Sequence, residues 1–458
     1  MQEIVEKLRK ELGEKTVLTG DTVSERYSAD WSGENPVMPG AVLRPADTEE
    51  LSRILQACYE SGQPVVVQGG LTGLAGGATP REGEIAVSLE RMSGIEEIDS
   101  DSMTMTVLAG TPLQSIQEAA HAAGFHFPLD LGARGSCTIG GNVATNAGGN
   151  QVIRYGMTRN QILGLEAVLA DGAIMTSLNK MLKNNAGYDL KHLFIGTEGT
   201  LGVVTRLVLR LQPRLNSKCT ALCALPDFES VIKLLQTGGR ELGGTVSSFE
   251  VMWQDYFHYI IDHIDSLRSP FDKDHAFYIL LETEGSNQEQ DFEHFTEVLS
   301  AAIEDGMVTD AAIAQSERES ETFWAIRDGV GEVTPLLMPM ANFDISLPVS
   351  RMQSFLDAIT QDLRKTFHGI RILIFGHIGD GNLHILATTG KAEDRDGIYD
   401  LVYRATQDFE GSVSAEHGIG MLKKDYLDCS RTPEEIELMR TLKQALDPKG
   451  ILNPGRIF

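Results

Sequence analysis

The chain has 458 residues, 42% of them hydrophobic, which is enough for two or three domains with real cores. Its 39 Lys and Arg are outnumbered by 65 Asp and Glu, giving a formal net charge of −26. We therefore expect neither nucleic acid nor an anionic membrane surface as a partner, because both bind clustered positive charge. A small anionic substrate is compatible with this balance if the site supplies its own cations.

Residues 1–18 carry charges at helical spacing and no uninterrupted apolar stretch, which predicts a surface helix rather than a secretory signal. The longest apolar runs elsewhere, such as Ile370 to Phe375, have the length of a strand, so we expect no membrane span. Five scattered cysteines form neither a disulfide framework nor a zinc motif. A reducing, cytoplasmic location is the simplest expectation.

From about Ala41 to Leu211, short β-branched runs alternate with helical patterns and glycine-rich turns. This alternation predicts an α+β or α/β domain. The predicted strands are Pro64 to Val67, Ile85 to Leu89, Met105 to Leu108, Leu165 to Leu169 and Val203 to Leu211.

A second domain is predicted after Pro213, where the glycine density falls and longer helical patterns appear. We divide the chain into a first domain of residues 1–213, a second of residues 214–420 and a C-terminal segment of residues 421–458. In that segment, Pro433 to Leu446 predicts a helix that begins after Thr432 with proline in its first position.

Two glycine-rich clusters are typical of a phosphate-binding backbone. The first follows a predicted strand, and its glycines between Gly69 and Gly77 leave N–H groups free to face a pyrophosphate. It lacks the ending of a P-loop and the spacing of a nicotinamide dinucleotide fingerprint. The second, DLGARGSCTIGGNVATNAGGN, adds hydroxyl and amide side chains that can bond to a polar heterocycle. Two separate clusters suit a long cofactor.

Six stretches in this order resemble the FAD-linked oxidases and dehydrogenases of the vanillyl-alcohol-oxidase type: GGLTGLAGG, DLGARGSCTIGGNVATNAGG, YDLKHLFIGTEGTLGVVT, FGHIGDGNLH, SAEHGIG and DPKGILNPGRI. The resemblance covers nearly the whole chain and points to the branch with D-lactate, glycolate and D-2-hydroxyglutarate dehydrogenases. It implies an α+β fold with a two-subdomain, PCMH-type FAD-binding domain. An α/β cap domain with an antiparallel sheet would bind substrate and metal, and a C-terminal helical segment would return to the flavin.

The resemblance also implies which residues contact FAD. The first loop would hold the pyrophosphate, the second cluster would line the flavin, Gly202 to Val204 would lie by the adenine half, and Asn453 would return to the flavin. The full set is Gly69, Gly70, Leu71, Thr72, Gly73, Leu74, Gly135, Ser136, Thr138, Gly141, Asn142, Asn146, Ala147, Gly148, Gly202, Val203, Val204 and Asn453.

Some relatives tether the flavin through a histidine in the first loop, where this chain has Leu71 and Thr72. We therefore expect FAD to be bound non-covalently. Cys137 is interpreted as a small buried residue rather than as a tether.

The segment FGHIGDGNLHI predicts a metal-binding hairpin. Asp380-Gly381 is a favoured two-residue turn, and a turn there would make His377 the cross-strand partner of His384. Glu416 or His417 offers a third ligand. Two imidazoles and a carboxylate suit Zn²⁺ with open positions, and Mn²⁺, Co²⁺ and Fe²⁺ are compatible. The alternative is a polar hairpin whose histidines cap a domain interface.

In a regular strand Glu416 and His417 would point to opposite faces, which predicts different roles for them. The resemblance assigns Glu416 to the metal, together with His377 and His384, and His417 to abstraction of the substrate's hydroxyl proton. It also places Arg327 against the substrate carboxylate, whereas the local sequence alone favours a solvated arginine on a helix.

These features predict an FAD-dependent, metal-assisted oxidation of a D-2-hydroxy acid to the 2-oxo acid, with D-2-hydroxyglutarate or a related acid as substrate. Relatives that act on 2-hydroxyglutarate tend to have Lys at the position of Asn342 and Asn at that of Leu386. Because a buried carboxylate without partners is costly, these differences weaken the case for a diacid. A D-lactate- or glycolate-type dehydrogenase is the alternative.

Electrons are expected to pass to a separate acceptor, which could be an electron-transfer flavoprotein, a quinone-linked carrier or a cytochrome. The competing hypotheses are an oxidase that uses oxygen and a non-catalytic, flavin-carrying subunit of a larger complex. The predicted site residues count against the non-catalytic subunit. A homodimer is the default expectation for the assembly.

Overall fold

The computed structural model describes Met1 to Phe458 and divides the chain into two compact units. The first unit comprises Met1–Gly149, Gly156–Arg214 and Glu416–Phe458. The second comprises Asn150–Tyr155 and Leu215–Ala415. None of the helices is both long enough and apolar enough to cross a membrane.

Helices and strands are numbered in chain order. The helices are α1 (Gln2–Leu12), α2 (Thr48–Ser61), α3 (Leu113–Ala122), α4 (Ile139–Thr145), α5 (Val152–Tyr155), α6 (Thr158–Gln161), α7 (Phe228–Glu241), α8 (Gln254–His263), α9 (Gln288–Glu304), α10 (Glu317–Asp328), α11 (Val330–Leu337), α12 (Val349–Thr366), α13 (Arg395–Asp408) and α14 (Pro433–Leu446). The strands are β1 (Val17–Leu18), β2 (Val42–Leu43), β3 (Val65–Gln68), β4 (Ile85–Ser88), β5 (Ile95–Asp99), β6 (Thr104–Leu108), β7 (Phe125–His126), β8 (Ile162–Val168), β9 (Ile174–Ser177), β10 (Val203–Arg210), β11 (Gln212–Pro213), β12 (Ser217–Leu225), β13 (Val246–Trp253), β14 (Phe277–Gly285), β15 (Asp310–Ile313), β16 (Ala341–Ser346), β17 (Arg371–Gly376) and β18 (Asn382–Thr388).

The first unit contains two main sheets. Strands β1-β2-β4-β3 form one sheet, in which β2, β4 and β3 pair in parallel. Strands β5-β6-β10-β8-β9 form an antiparallel sheet. One apolar core joins both sheets to the buried faces of α2 and α3. One glycine-rich loop follows β3 and the other leads into α4, so each is joined to a regular element at one end.

The C-terminal segment of the first unit packs on β3. Leu452 forms a parallel bridge with Val65, and the N–H of Val67 donates to Asn453 Oδ1 at 2.8 Å. Helix α14 begins after Thr432, which forms a reciprocal capping box with Glu435. Its bounds are those predicted from the sequence.

The second unit is built on one antiparallel sheet with the order β15-β12-β14-β13-β17-β18-β16. One face carries an apolar cluster that includes Phe375 and Leu386 together with side chains of α8, α10 and α11. On the opposite face Phe343 packs edge-on against Tyr399 and Tyr403 of α13. Consecutive residues of a strand therefore enter different environments.

Apart from a shift of one residue at Arg214, the observed limits of the units differ from the predicted domain limits in two places. Residues 416–420 belong to the first unit, because Ile419 N and Gly420 N donate to the Glu198 carboxylate at 2.7 and 2.8 Å. Residues 150–155 belong to the second unit, because Arg154 Nη1 donates to the backbone oxygens of Thr245 and Glu284. Long-range hydrogen bonds, which local patterns do not reveal, set both limits.

Candidate functional site

The first unit encloses a cavity of about 360 Å³ between its two glycine-rich loops. Most residues predicted to contact FAD line it: Gly69, Gly70, Leu71, Thr72, Gly73, Leu74, Thr138, Gly141, Asn142, Ala147, Gly148, Gly202, Val203, Val204 and Asn453. Gly135, Ser136 and Asn146 do not. Asn146 instead ends α4 in a left-handed conformation, φ 51°, and accepts a bond from Arg159 N.

The cavity wall requires glycine where the two loops meet. A Cβ on Gly69 would lie 2.7 Å from Thr138 Oγ1, and a Cβ on Gly70 would collide with the backbone oxygen of Ser136. The backbone of the first loop can therefore approach the second closely, as phosphate binding by N–H groups requires.

Two buried polar atoms of the wall, Thr138 Oγ1 and Asn142 Oδ1, have no hydrogen-bond partner within the protein. Unpaired buried polar groups are costly, so these atoms fit a site that a polar ligand completes. The flavin heterocycle and ribityl chain offer donors and acceptors of this kind. Cys137 also lines the wall; its thiol is free and buried, and burial raises the thiol pKa.

The wall contains a carboxylate that we did not predict as a site residue. Glu198 has φ 51° and fixes the backbone at Ile419 and Gly420. Burial raises the pKa of its carboxyl, although these two N–H groups oppose the rise. A glutamate inside the glycine-rich stretch GTEGT was the signal in the sequence.

Glu416 and His417 both line this cavity, in irregular backbone outside any strand. The prediction that they alternate along a strand is therefore wrong, because Gly418 at φ 79° bends the chain beside them. The N–H of Gly149 donates to Glu416 Oε1 at 2.5 Å. The division of roles between the two residues remains a prediction.

In the second unit, the predicted register of the histidine hairpin is also wrong. Phe375, not His377, is the cross-strand partner of His384. Residues Ile378–Asp380 form a 3₁₀ turn and Gly381 follows at φ 86°, so the connection is longer than the two predicted residues. The shift of two positions keeps the same strand face, and the rings of His377 and His384 still meet edge-on with centroids 5.4 Å apart.

His377 belongs to a buried charged network with Glu250 of β13 and Arg327 of α10. Glu250 Oε1 lies 2.8 Å from His377 Nδ1, and Glu250 Oε2 accepts a 2.8 Å bond from Arg327 Nε. Burial raises the pKa of Glu250, but its interactions with His377 and Arg327 outweigh burial and hold that pKa below its usual value. Arg327 is 6% exposed, so it is not a solvated arginine.

Glu250 was missed in the sequence. The available signal was a charged residue in the otherwise uncharged strand VSSFEVMW. Asn342 and Leu386, the two substrate-domain positions at which the resemblance led us to expect a difference from hydroxyglutarate-oxidising relatives, are cross-strand partners. The pair Asp344 and His384 lies two positions along the same strands, and residues two apart share a strand face. Asn342 and Leu386 therefore lie together beside His384.

Sequence comparison matches residues 39–177 to an "FAD binding domain" and residues 214–457 to "FAD linked oxidases, C-terminal domain". The mitochondrial D-2-hydroxyglutarate dehydrogenase of Arabidopsis thaliana is 40% identical over 450 residues, covering 98% of this chain and 80% of the relative. D-2-hydroxyglutarate dehydrogenase of Xanthomonas citri pv. viticola is 37% identical over 441 residues, covering 95% of this chain and 92% of the relative.

Solved structures agree on the fold. p-Cresol methylhydroxylase with substrate bound has a TM-score of 0.80 at 17% identity, covering 100% of this chain and 96% of that chain. Alkyldihydroxyacetonephosphate synthase has a TM-score of 0.77 at 18% identity, covering 99% and 86%. The predicted PCMH-type FAD-binding fold is confirmed.

The fold and its glycine-lined cavity thus define an FAD-dependent dehydrogenase. The chain belongs to the family of FAD-linked oxidases, as its six motifs predicted.

Proposed function

We propose that the chain oxidises a D-2-hydroxy acid to the 2-oxo acid, with D-2-hydroxyglutarate as the first candidate. The observation that carries this proposal is the edge-on pair of buried rings, His377 and His384, which provides metal ligands beyond those an FAD site needs. The names of the relatives support the choice of substrate.

The two histidines suit a divalent metal, with Zn²⁺ as the first candidate and Mn²⁺, Co²⁺ or Fe²⁺ as others. We propose Glu416 as the third ligand. Chain connectivity supports it, because Ala415 N donates to the backbone oxygen of Asp344, the cross-strand partner of His384, and Glu416 is the next residue. A bound metal would lower the pKa of the substrate hydroxyl.

The remaining roles belong to side chains and to FAD. His417 would take the hydroxyl proton as a neutral imidazole, and bound FAD would accept hydride from C2. Arg327 would face the substrate carboxylate. Its Nε and Nη2 donate hydrogen bonds to Glu250, and its Nη1 donates one to Asp328. Bidentate binding of a substrate carboxylate would therefore replace the contact with Asp328, which is half-exposed.

A monoacid of the lactate or glycolate type is the second candidate substrate. Leu386 is 3% exposed within the apolar cluster of the second unit, and its partner Asn342 carries no charge. Neither residue supplies a cation to pair with the distal carboxylate of a diacid.

The proposal also covers the electron acceptor, the assembly and the cellular location of the protein. We propose a separate acceptor, namely an electron-transfer flavoprotein, a quinone-linked carrier or a cytochrome, and a homodimer. A cytoplasmic location is supported by five cysteines that are all free.

The test is an anaerobic screen of flavin reduction with D- and L-2-hydroxy acids of varied length and charge. We expect D-acids to bleach the flavin and their L-enantiomers to leave it oxidised. Reduction by D-lactate in preference to D-2-hydroxyglutarate would favour the monoacid. If no 2-hydroxy acid reduces the flavin, the proposed function is wrong.

A further inference from the structure

Glu250 links two side chains that the proposed function uses. Its carboxylate is 1% exposed on β13, and its two oxygens serve different partners. Oε1 is the partner of His377 Nδ1 at 2.8 Å, and Oε2 accepts from both Nε and Nη2 of Arg327 at 2.8 Å.

This arrangement determines which nitrogen of His377 carries the proton. An ionised carboxylate can only accept, so the proton of a neutral His377 lies on Nδ1 and the lone pair lies on Nε2. Arg327 Nη2 lies 3.1 Å from Nε2 and 3.4 Å from Nδ1, and because it is almost equidistant from the two ring nitrogens it does not point along the Nε2 lone pair. The bonds from Arg327 to Glu250 hold the guanidinium independently of this contact.

We infer that Glu250 is a positioning residue for the metal site, which keeps His377 in the tautomer whose Nε2 can bind a divalent cation and holds Arg327 beside it. The inference rests on the proposed function, since it requires His377 to be a ligand. A carboxylate that accepts from a ligating imidazole fixes the ring and increases its basicity.

Glu282 provides a matched control for the cost of altering a buried carboxylate. It lies on the neighbouring strand β14 and is also 1% exposed. Its partners are Thr220, Trp324 and Lys218, none of which is a proposed site residue. Removing its charge should therefore affect folding without affecting the metal.

The experiment compares wild type, Glu250→Gln and Glu282→Gln as FAD-loaded full chains, with Zn²⁺ affinity measured by competition against a chromophoric chelator and stability by thermal unfolding. We expect Glu250→Gln to bind Zn²⁺ roughly 10–100-fold more weakly, and Glu282→Gln to bind as wild type does. Equal affinity of wild type and Glu250→Gln would overturn the inference and leave the proposed function standing. Failure of the wild type to bind any of the four candidate metals would overturn the proposed metal site and the inference together.

A second measurement uses the wild-type chain and so does not depend on whether a variant folds. Magnetic resonance of isotope-labelled histidine reports the tautomer of each ring, and His377→Gln identifies the signal of His377. We expect the proton on Nδ1. A proton on Nε2 contradicts the inference.

Discussion

His417 and Glu416 are neighbours in sequence and line the same cavity. The Gly149 N–H holds one oxygen of Glu416 at 2.5 Å, and Gly148 leaves no room for a side chain beside that carboxylate. A carboxylate fixed in this way is suited to a role that requires a constant location, such as that of a metal ligand. The proposed function assigns proton transfer to the imidazole of His417, next to it.

Replacing His417 with Ala should slow flavin reduction by substrate about 10²–10⁴-fold, because a general base contributes rate enhancements of that size. FAD content should not change, since backbone and other side chains form most of the wall. The measurement is flavin absorbance after anaerobic mixing with substrate, with His121→Ala, an exposed position on α3, as control. Rapid bleaching of the His417→Ala flavin would exclude His417 as the base.

Among the elements, α14 and the histidine hairpin show where sequence patterns succeed and fail. The bounds of α14 could be predicted because the N-cap Thr432 and the following Pro433 are adjacent in the sequence and mark the start of a helix by themselves. The hairpin register could not, because the 3₁₀ turn at Ile378–Asp380 lengthens the connection without an evident change in the pattern. The two histidine rings are close together despite the wrong register, because a shift of two positions preserves the strand face.

The network around Glu250 lay beyond local reasoning for another reason. Its partners Arg327 and His377 are 77 and 127 residues away in sequence. A charged residue in a buried strand indicates that some partner exists, but not which one. Only the sheet order, which places β13 beside β17, brings Glu250 next to His377.

Helix α14 is anchored by the amine of Lys443, a partly buried side chain. Lys443 Nζ donates to Asp447 and to the backbone oxygens of Thr200 and Leu452. Lys443→Met should lower the free energy of unfolding by about 1.5–3 kcal/mol, because Asp447 loses its charged partner and keeps only the N–H groups of Ile451 and Leu452. FAD should also bind more weakly, since Leu452 precedes Asn453 of the cavity wall.

Denaturant unfolding of the FAD-loaded chain and FAD titration of the apoprotein measure these two effects. Lys449→Met is the control, because Lys449 is exposed and donates a single bond to the backbone oxygen of Tyr59. We expect it to cost less than about 1 kcal/mol. Equal losses in the two variants would show that Lys443 is not an anchor.

On the scale of the whole molecule, the side chains proposed to bind FAD and those proposed to bind the metal are different except for Glu416, which lines the cavity and is also a proposed ligand. The glycine-lined wall belongs to the first unit, whereas His377 and His384 belong to the second. The two cofactors should therefore be separable.

A strong chelator should abolish flavin reduction by substrate and leave FAD in the protein, while dithionite should still reduce the flavin. Zn²⁺, Mn²⁺, Co²⁺ or Fe²⁺ added back should restore the reaction with substrate. Acid precipitation should then release FAD into the supernatant, as the non-covalent attachment expected from Leu71 and Thr72 requires. Full activity of a chain shown by elemental analysis to contain no metal would rule out the metal-assisted mechanism.

The bond between Val67 and Asn453 spans 386 residues, and Asn453 also donates to the backbone oxygen of Glu198. A ribosome adds about 5–20 residues per second, so roughly 20–80 s pass between the synthesis of Val67 and that of Asn453. The cavity wall is incomplete throughout that interval. We therefore expect loading with FAD to be completed only after residue 453 has been synthesised, because Asn453 joins two parts of the wall that are made much earlier.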